Sequence, residues 1–347
     1  MTQSISQPIS YEAEFYRQQG VLLIDKKDYE GAIEFFDKAL RLQPDYYDAW
    51  CQRGLALGHL GRHEEALTSF NNALAIQPGI SWVWHNRGIA LGKLGYHGEA
   101  VNSFDRAIEF NPDASNAWHN RGITLCDLGK YKEAIASFDR SLRLQPNAYW
   151  AWYNRGLAHK QLGNYEESLN SFDRAIEFNP DAYNAWYNRG LLLTDIGRNE
   201  KAVASFTKAV EIKPDYQRAW YNRGVSQRRA GDYSGAIASL DQAVTLDTQD
   251  YWAWYSRGLT LVHLGRYDEA IASYDKVLHI QPDHANTYYN KACCYALQDQ
   301  VDFAIENLQK AIHLQPEKYL LMAKVDPDFT KIREDERFNA LTSICEP

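Results

Sequence analysis

The chain repeats itself every 34 residues, and that period restricts what it can fold into before any single residue is weighed. Pro44, Pro78, Pro112, Pro146, Pro180 and Pro214 stand one period apart; Thr248 takes the next place, and Pro282 and Pro316 resume the series. Trp50, Trp84, Trp118, Trp152, Trp186, Trp220 and Trp254 keep the same step, with Tyr16 and Tyr288 at either end. A glycine series runs from Gly20 through Gly88 to Gly258, and a small-residue series from Ala32 through Ala100 to Ala304. Nine units follow, at 13–46, 47–80, 81–114, 115–148, 149–182, 183–216, 217–250, 251–284 and 285–318. A length of 347 residues would otherwise suggest two or three globular domains; a repeat array needs only one stacked core.

Each unit reads as two antiparallel helices. In the third, Trp84, Gly88 and Leu91 share one stripe at spacings of four and three. Gly95 then supplies the left-handed residue that closes the first helix. On the second helix Ala100, Phe104 and Ala107 line up, and Pro112 ends the run because proline cannot donate the next helical hydrogen bond. Gly88 and Ala100 are small so that the two axes approach, with Trp84 and Phe104 filling the remaining space.

This pattern of Trp, Gly, Ala, Phe and Pro at a 34-residue step resembles the tetratricopeptide repeat, over nine units or 306 of 347 residues. The resemblance implies an all-α fold, a right-handed superhelical solenoid whose concave wall is lined by the first helix of each unit. It also implies capping helices over 319–347, similar to the short helical ending of many bacterial members, because the last repeat would otherwise expose its apolar face. Residues 1–12 are expected to be a disordered tail. The sequence departs from the family at one place: Arg53, Arg87, Arg121, Arg155, Arg189, Arg223 and Arg257 replace the usual leucine before the glycine. A buried cation needs a partner. The residue after the repeat Phe or its equivalent supplies one, as Asp37, Asp105, Asp139, Asp173, Asp241 and Asp275, which predicts an Arg–Asp ladder with arginine stems on the tryptophans.

At 100° per residue, positions 2, 5, 6, 9, 12 and 13 of each unit point away from the Trp–Gly–Leu stripe. Position 5 carries Tyr153, Tyr187, Tyr221, Tyr255 and Tyr289 in the later units, after His85 and His119. Position 6 carries Asn86, Asn120, Asn154, Asn188, Asn222 and Asn290, and position 2 adds Trp82, Trp150 and Trp252. Exposed Tyr and Trp are favoured at binding hot spots, and asparagine offers both a donor and an acceptor to an extended backbone. The bland alternative is that Tyr and Asn satisfy neighbouring repeats. The seventh unit adds Arg218, Arg228 and Arg229 on the same face, where an acidic segment or a C-terminal carboxylate would be drawn.

These features point to a non-enzymatic scaffold or adaptor that holds a peptide or protein segment in its concave groove. The alternative is a regulatory or targeting subunit that recruits a separate enzyme or chaperone. The carboxylate clamp of chaperone-binding relatives is missing, since position 6 is never basic and position 9 is apolar in almost every unit. No HExxH and no glycine-rich phosphate loop occurs, so neither a catalytic site nor a metal or cofactor is expected. A net charge of −8 disfavours nucleic acid, and no run is long and apolar enough for a membrane span. Five cysteines without CxxC spacing, and a start without a secretory signal, point to the cytoplasm. Adjacent Cys293 and Cys294 read as two small buried residues.

Overall fold

A computed structural model describes residues 9–343. These residues are helical throughout, with no strand among them. The chain divides into two compact units between Asn179 and Pro180. The first unit contains α1 (Tyr11–Asp25), α2 (Tyr29–Leu42), α3 (Tyr47–His59), α4 (His63–Ile76), α5 (Ser81–Lys93), α6 (His97–Phe110), α7 (Ser115–Asp127), α8 (Tyr131–Leu144), α9 (Tyr149–Gln161) and α10 (Tyr165–Phe178). The second contains α11 (Tyr183–Asp195), α12 (Asn199–Ile212), α13 (Gln217–Arg229), α14 (Tyr233–Leu246), α15 (Tyr251–His263), α16 (Tyr267–Ile280), α17 (Ala285–Leu297), α18 (Val301–Leu314) and α19 (Pro316–Val325). A 3-10 turn over Pro327–Ile332 and α20 (Glu336–Thr342) follow. Within each unit consecutive helices pack in pairs, as a solenoid demands.

Two local signals set the helix ends. A glycine with φ near +75°, such as Gly61 and Gly163 at 75° and 74°, ends the first helix by adopting the left-handed conformation that closes its last carbonyls. Where the first and ninth repeats lack it, Lys27 and Asp299 take the same conformation at 62° and 61°. Each second helix ends on an extended residue just before the loop proline or its substitute, as at Gln77 and Asn111.

Two expected boundaries shift. The tail predicted over 1–12 ends sooner, because Ser10 Oγ accepts from the Ala13 amide at 3.1 Å and starts α1 at Tyr11; residues 1–8 lie outside the described residues. The cap predicted from 319 begins at Pro316, which occupies the first turn of α19, where a missing N–H costs nothing. Residues 344–347, including Cys345, lie outside the described residues.

The core of each repeat is the contact between its helix glycine and the ring on the second helix. A Cβ on Gly122 would stand 2.5 Å from the Phe138 ring. Phe36, Phe70, Phe104, Phe138, Phe172 and Phe206 are buried there, as are Leu240, Tyr274 and Leu308 in later repeats. The tryptophans do not fill this space. They lie half-buried, and each indole N–H donates to the carbonyl of the loop residue six before it: Trp84 to Pro78 at 2.7 Å, Trp152 to Pro146 at 2.8 Å, Trp254 to Thr248 at 3.1 Å. An indole has one donor and no acceptor, so it seeks a free carbonyl at the protein surface.

The arginines form the predicted ladder, with a second contact. Arg53, Arg121 and Arg155 reach Asp37, Asp105 and Asp139 of the preceding repeat through Nε at 2.7, 2.6 and 2.7 Å. Arg87 uses Asn71 instead, at 2.7 Å. Except in the seventh repeat, the other arm of the guanidinium donates to a buried serine of its own repeat, as from Arg121 to Ser137 and from Arg155 to Ser171 at 2.7 Å. Each planar fork therefore joins two repeats, while its face lies over the repeat tryptophan at 5.6 Å for Arg155 and Trp152.

Candidate functional site

The candidate row sits on the first helices, and each unit presents it differently. In the first unit His85 and His119 lie half-buried over their own repeats' rings, 5.8 Å from Phe104 and 5.6 Å from Phe138. Burial lowers both imidazoles, His119 to about 4, so they are neutral at pH 7. His119 also meets the edge of Trp150 at 4.0 Å, and Asn120 Nδ2 pairs with His85 Nε2 at 2.9 Å. Asn86 and Asn154 donate to the carbonyls of Trp82 and Trp150, four residues back on the same helix, at 2.8 and 2.9 Å. Tyr153 is half-buried against Phe172 at 6.0 Å, whereas Trp82 is 40% exposed. A cavity of 370 Å³ opens beside Trp82 and His85, with Asn116 and Gln145 on its far wall.

The second unit carries tyrosines in the same row. Asn222 Nδ2 donates to Tyr187 Oη at 3.2 Å and to the Arg218 carbonyl at 2.8 Å. Asn290 donates to Tyr255 Oη at 2.9 Å, and Asn188 to the Asn184 carbonyl at 2.9 Å. Burial raises the Tyr187 and Tyr255 phenols, while nearby Arg218 and Arg228 respectively oppose that rise. Tyr221 is half-buried with Ala243 and Val244, and Trp252 is 50% exposed. Asn222 thus spends both amide N–H groups inside the fold and Asn290 donates one of its two to a neighbouring repeat, as the bland alternative holds.

One predicted member is wrongly placed. Tyr289 is 3% exposed, stacked on Tyr319 at 4.9 Å and edge-on to Phe329 at 5.6 Å, with its hydroxyl donating to Asp326 at 2.7 Å. In the ninth repeat α19 and the 3-10 turn cover the position that stays open in earlier repeats, so Tyr289 belongs to the cap. Beside it Cys293, Asp326 and Asp328 gather their ligand atoms within 4.8 Å of one another. Burial pushes the Cys293 thiol up, and Asp326 already accepts from the Tyr289 hydroxyl and the Asp328 amide. Cys294 is a buried free thiol like its neighbour.

Of the three arginines of the seventh repeat, Arg218 lies near Tyr187 and Arg228 near Tyr255. Arg218 and Arg229 are exposed and Arg228 half-buried, and none of the three makes an ion pair among the described residues. Arg228 Nε is shielded from solvent and has no hydrogen-bond partner. The same repeat holds a fourth arginine. Arg223 belongs to the ladder, yet Thr207 stands where its acid should be, and Ser239 donates to Gln227 rather than accepting from it. Its Nε is left unbonded, and burial lowers its pKa. Thr207 was legible as a break in the acid series; the diversion of Ser239 was not.

Sequence models of the tetratricopeptide repeat match residues 47–79, 83–114, 103–136 and, in four overlapping segments, 153–319. A TPR-repeat model matches 20–61 and 124–163. An uncharacterised protein of Methanocaldococcus jannaschii is 49% identical over 51 residues, 15% of this chain; the match spans 59% of that protein. Among solved structures, a tetratricopeptide repeat protein from Parabacteroides merdae aligns at TM-score 0.54 and 23% identity, over 73% of this chain and 100% of its own. The C-terminal part of a TPR protein from Cytophaga hutchinsonii aligns at 0.60 and 17%, over 69% and 98%. YrrB, described as a TPR protein with an unusual peptide-binding site, aligns at 0.51 and 24%, over 55% and 98%. At these identities the likeness is one of fold. No helix among the described residues is long and apolar enough to cross a membrane.

Proposed function

Since this chain belongs to the tetratricopeptide-repeat family, whose repeats mark protein–protein interaction scaffolds, we propose that it holds an acidic protein segment on the first helices of its second unit. The observation that carries this reading is Arg218 beside Tyr187 and Arg228 beside Tyr255, two cations without ion pairs followed in the chain by exposed Arg229, in a protein of net charge −8. In the ladder, by contrast, Arg53, Arg121, Arg155 and Arg257 are each paired with an aspartate. An unpaired guanidinium next to a partly buried phenol is suited to a carboxylate with apolar neighbours. Tyr221 and Trp252 extend the surface available to the segment, and Asn188 and Asn222 would meet its backbone.

In the first unit Trp82, Asn86, Asn120, Trp150, Tyr153 and Asn154 offer a neutral row, fitted to less charged residues of a bound segment. The test is affinity capture from the native cell with three forms of the chain: wild type, Arg228→Glu with Arg229→Glu, and Tyr187, Tyr221 and Tyr255 all changed to Ala. The expected partners bind the wild type in a salt-sensitive way and are lost from both variants. Partners retained by both variants at unchanged affinity would remove this surface as the binding site.

A further inference from the structure

The first repeat differs from all the others at the positions that face a preceding repeat. Position 3 is Ala49, Val83, Ala117, Ala151, Ala185, Ala219, Ala253 or Thr287 in later repeats, all buried; in the first it is Phe15, 46% exposed. Position 10 is buried in every later repeat, usually as a small residue such as Ala56 or Ser226; in the first it is Leu22, 50% exposed. The ladder arginine becomes Gln19, and the ladder serine becomes Phe35. The 16-residue ladder offset from Gln19 falls on Gln3, not on an acid, so loss of the arginine is expected. The gain of two phenylalanines and a leucine is not, because a repeat face left to water needs to be polar. This end has been made more apolar, as an interface is.

We propose that this open face of α1 is a homodimer interface, covered by α1 of a second copy of this chain lying antiparallel to it. The stripe Tyr11, Phe15, Gln18 and Gln19, Leu22, Lys26 is complementary to itself when reversed. Antiparallel pairing about a twofold axis sets Phe15 against Leu22 of the partner subunit and Gln18 against Gln19 of the partner subunit. It also sets Tyr11, 89% exposed, against Lys26 of the partner subunit, a cation over a ring. Exposed Glu12 at the start of α1 then approaches Lys26 and Lys27 of the partner subunit. Asp25 and Asp28 flank these lysines, so the selection rests on Lys26, the charged member of the stripe: a parallel arrangement would bring it onto its own copy and away from Glu12. A heterologous stack on another chain's last repeat is disfavoured by bulk: Phe15 stands where an internal joint accepts alanine, and the last repeat is already covered by Tyr319 and Phe329.

Sedimentation velocity of the full chain over a dilution series at about 0.15 M salt tests the proposal. The wild type is expected to sediment as a dimer that dissociates on dilution, and Phe15→Glu with Leu22→Glu as a monomer with unchanged far-ultraviolet circular dichroism. Lys26→Glu with Lys27→Glu should weaken the dimer about tenfold, and adding Glu12→Lys should recover it. Oxidation should cross-link Gln19→Cys, close to the axis, in preference to Phe15→Cys. A wild type that stays monomeric overturns the proposal, and so does a dimer that survives Phe15→Glu with Leu22→Glu. If the wild type is monomeric and dimerises only when residues 1–8 are removed, the chain's own start covers this face and the proposal is equally overturned.

Discussion

The arginine ladder runs unbroken through the first unit and fails once in the second. Arg53, Arg87, Arg121 and Arg155 each have an acceptor on the preceding repeat and a serine on their own. In the second unit Arg257 keeps both, with Asp241 at 2.6 Å and Ser273 at 2.7 Å, while Arg223, one repeat earlier, keeps neither. The same repeat replaces the core phenylalanine by Leu240 and adds Arg218, Arg228 and Arg229. The row of partly buried rings changes too, from neutral histidines in the third and fourth repeats to tyrosines from Tyr153 of the fifth repeat onward. A repeat array can vary one unit because each contacts only its neighbours, so the strain of a departure stays local. The seventh repeat gives up stapling interactions and collects charge.

The largest expected effect tests the rings. His119 has a folded pKa of about 4 against an ordinary 6.5, so protonation favours the unfolded chain. Its contribution is complete above pH 6.5 and is lost as pH falls toward 4, by up to about 3 kcal/mol. His119→Tyr, which gives the fourth repeat the ring that Tyr153 and the second unit's row carry, should flatten the dependence of the urea midpoint over that window. An unchanged slope would erase this difference between the histidine and tyrosine repeats.

Next comes the core. Gly122→Ala forces a Cβ to within 2.5 Å of the Phe138 ring and should cost about 2 kcal/mol, even after the gain in helix propensity. Gly224→Ala meets Leu240 Cγ at 2.7 Å and the Ala236 carbonyl oxygen at 3.1 Å, a backbone atom that cannot turn aside, and should cost about as much by urea unfolding. A clearly smaller cost would show that the leucine leaves this joint looser.

Removing a ladder arginine comes third. Arg155→Leu strands Asp139 and Ser171 and should cost about 1–2 kcal/mol. Arg223→Leu removes a guanidinium whose Nε has no hydrogen-bond partner, keeping an apolar side chain against Trp220, and should leave the midpoint unchanged or slightly raised. The smallest effect is a gain: Thr207→Asp supplies the missing acid and should add a few tenths of a kcal/mol, less at high salt. No gain would mean that the seventh-repeat ladder is broken by more than its missing carboxylate.

The sequence by itself determined the helix pairs, their ends and the pairing of Arg with Asp. These follow from local rules: the left-handed glycine, the loop proline and the constant 16-residue offset from Asp37 to Arg53 or from Asp139 to Arg155. Tertiary packing decided the remainder. Helical arithmetic placed Tyr289 outward like Tyr187 and Tyr255, but the cap covers it, and periodicity cannot register what lies beyond the last period. The asparagine row looked available to a partner until Asn222 and Asn290 turned out to donate to tyrosines one repeat back. Such a contact between helices leaves no mark on either helix alone. Arg223 shows both halves at once: Thr207 announces the missing acid in sequence, whereas the loss of Ser239 to Gln227 depends on which of two side chains reaches that hydroxyl in the folded core.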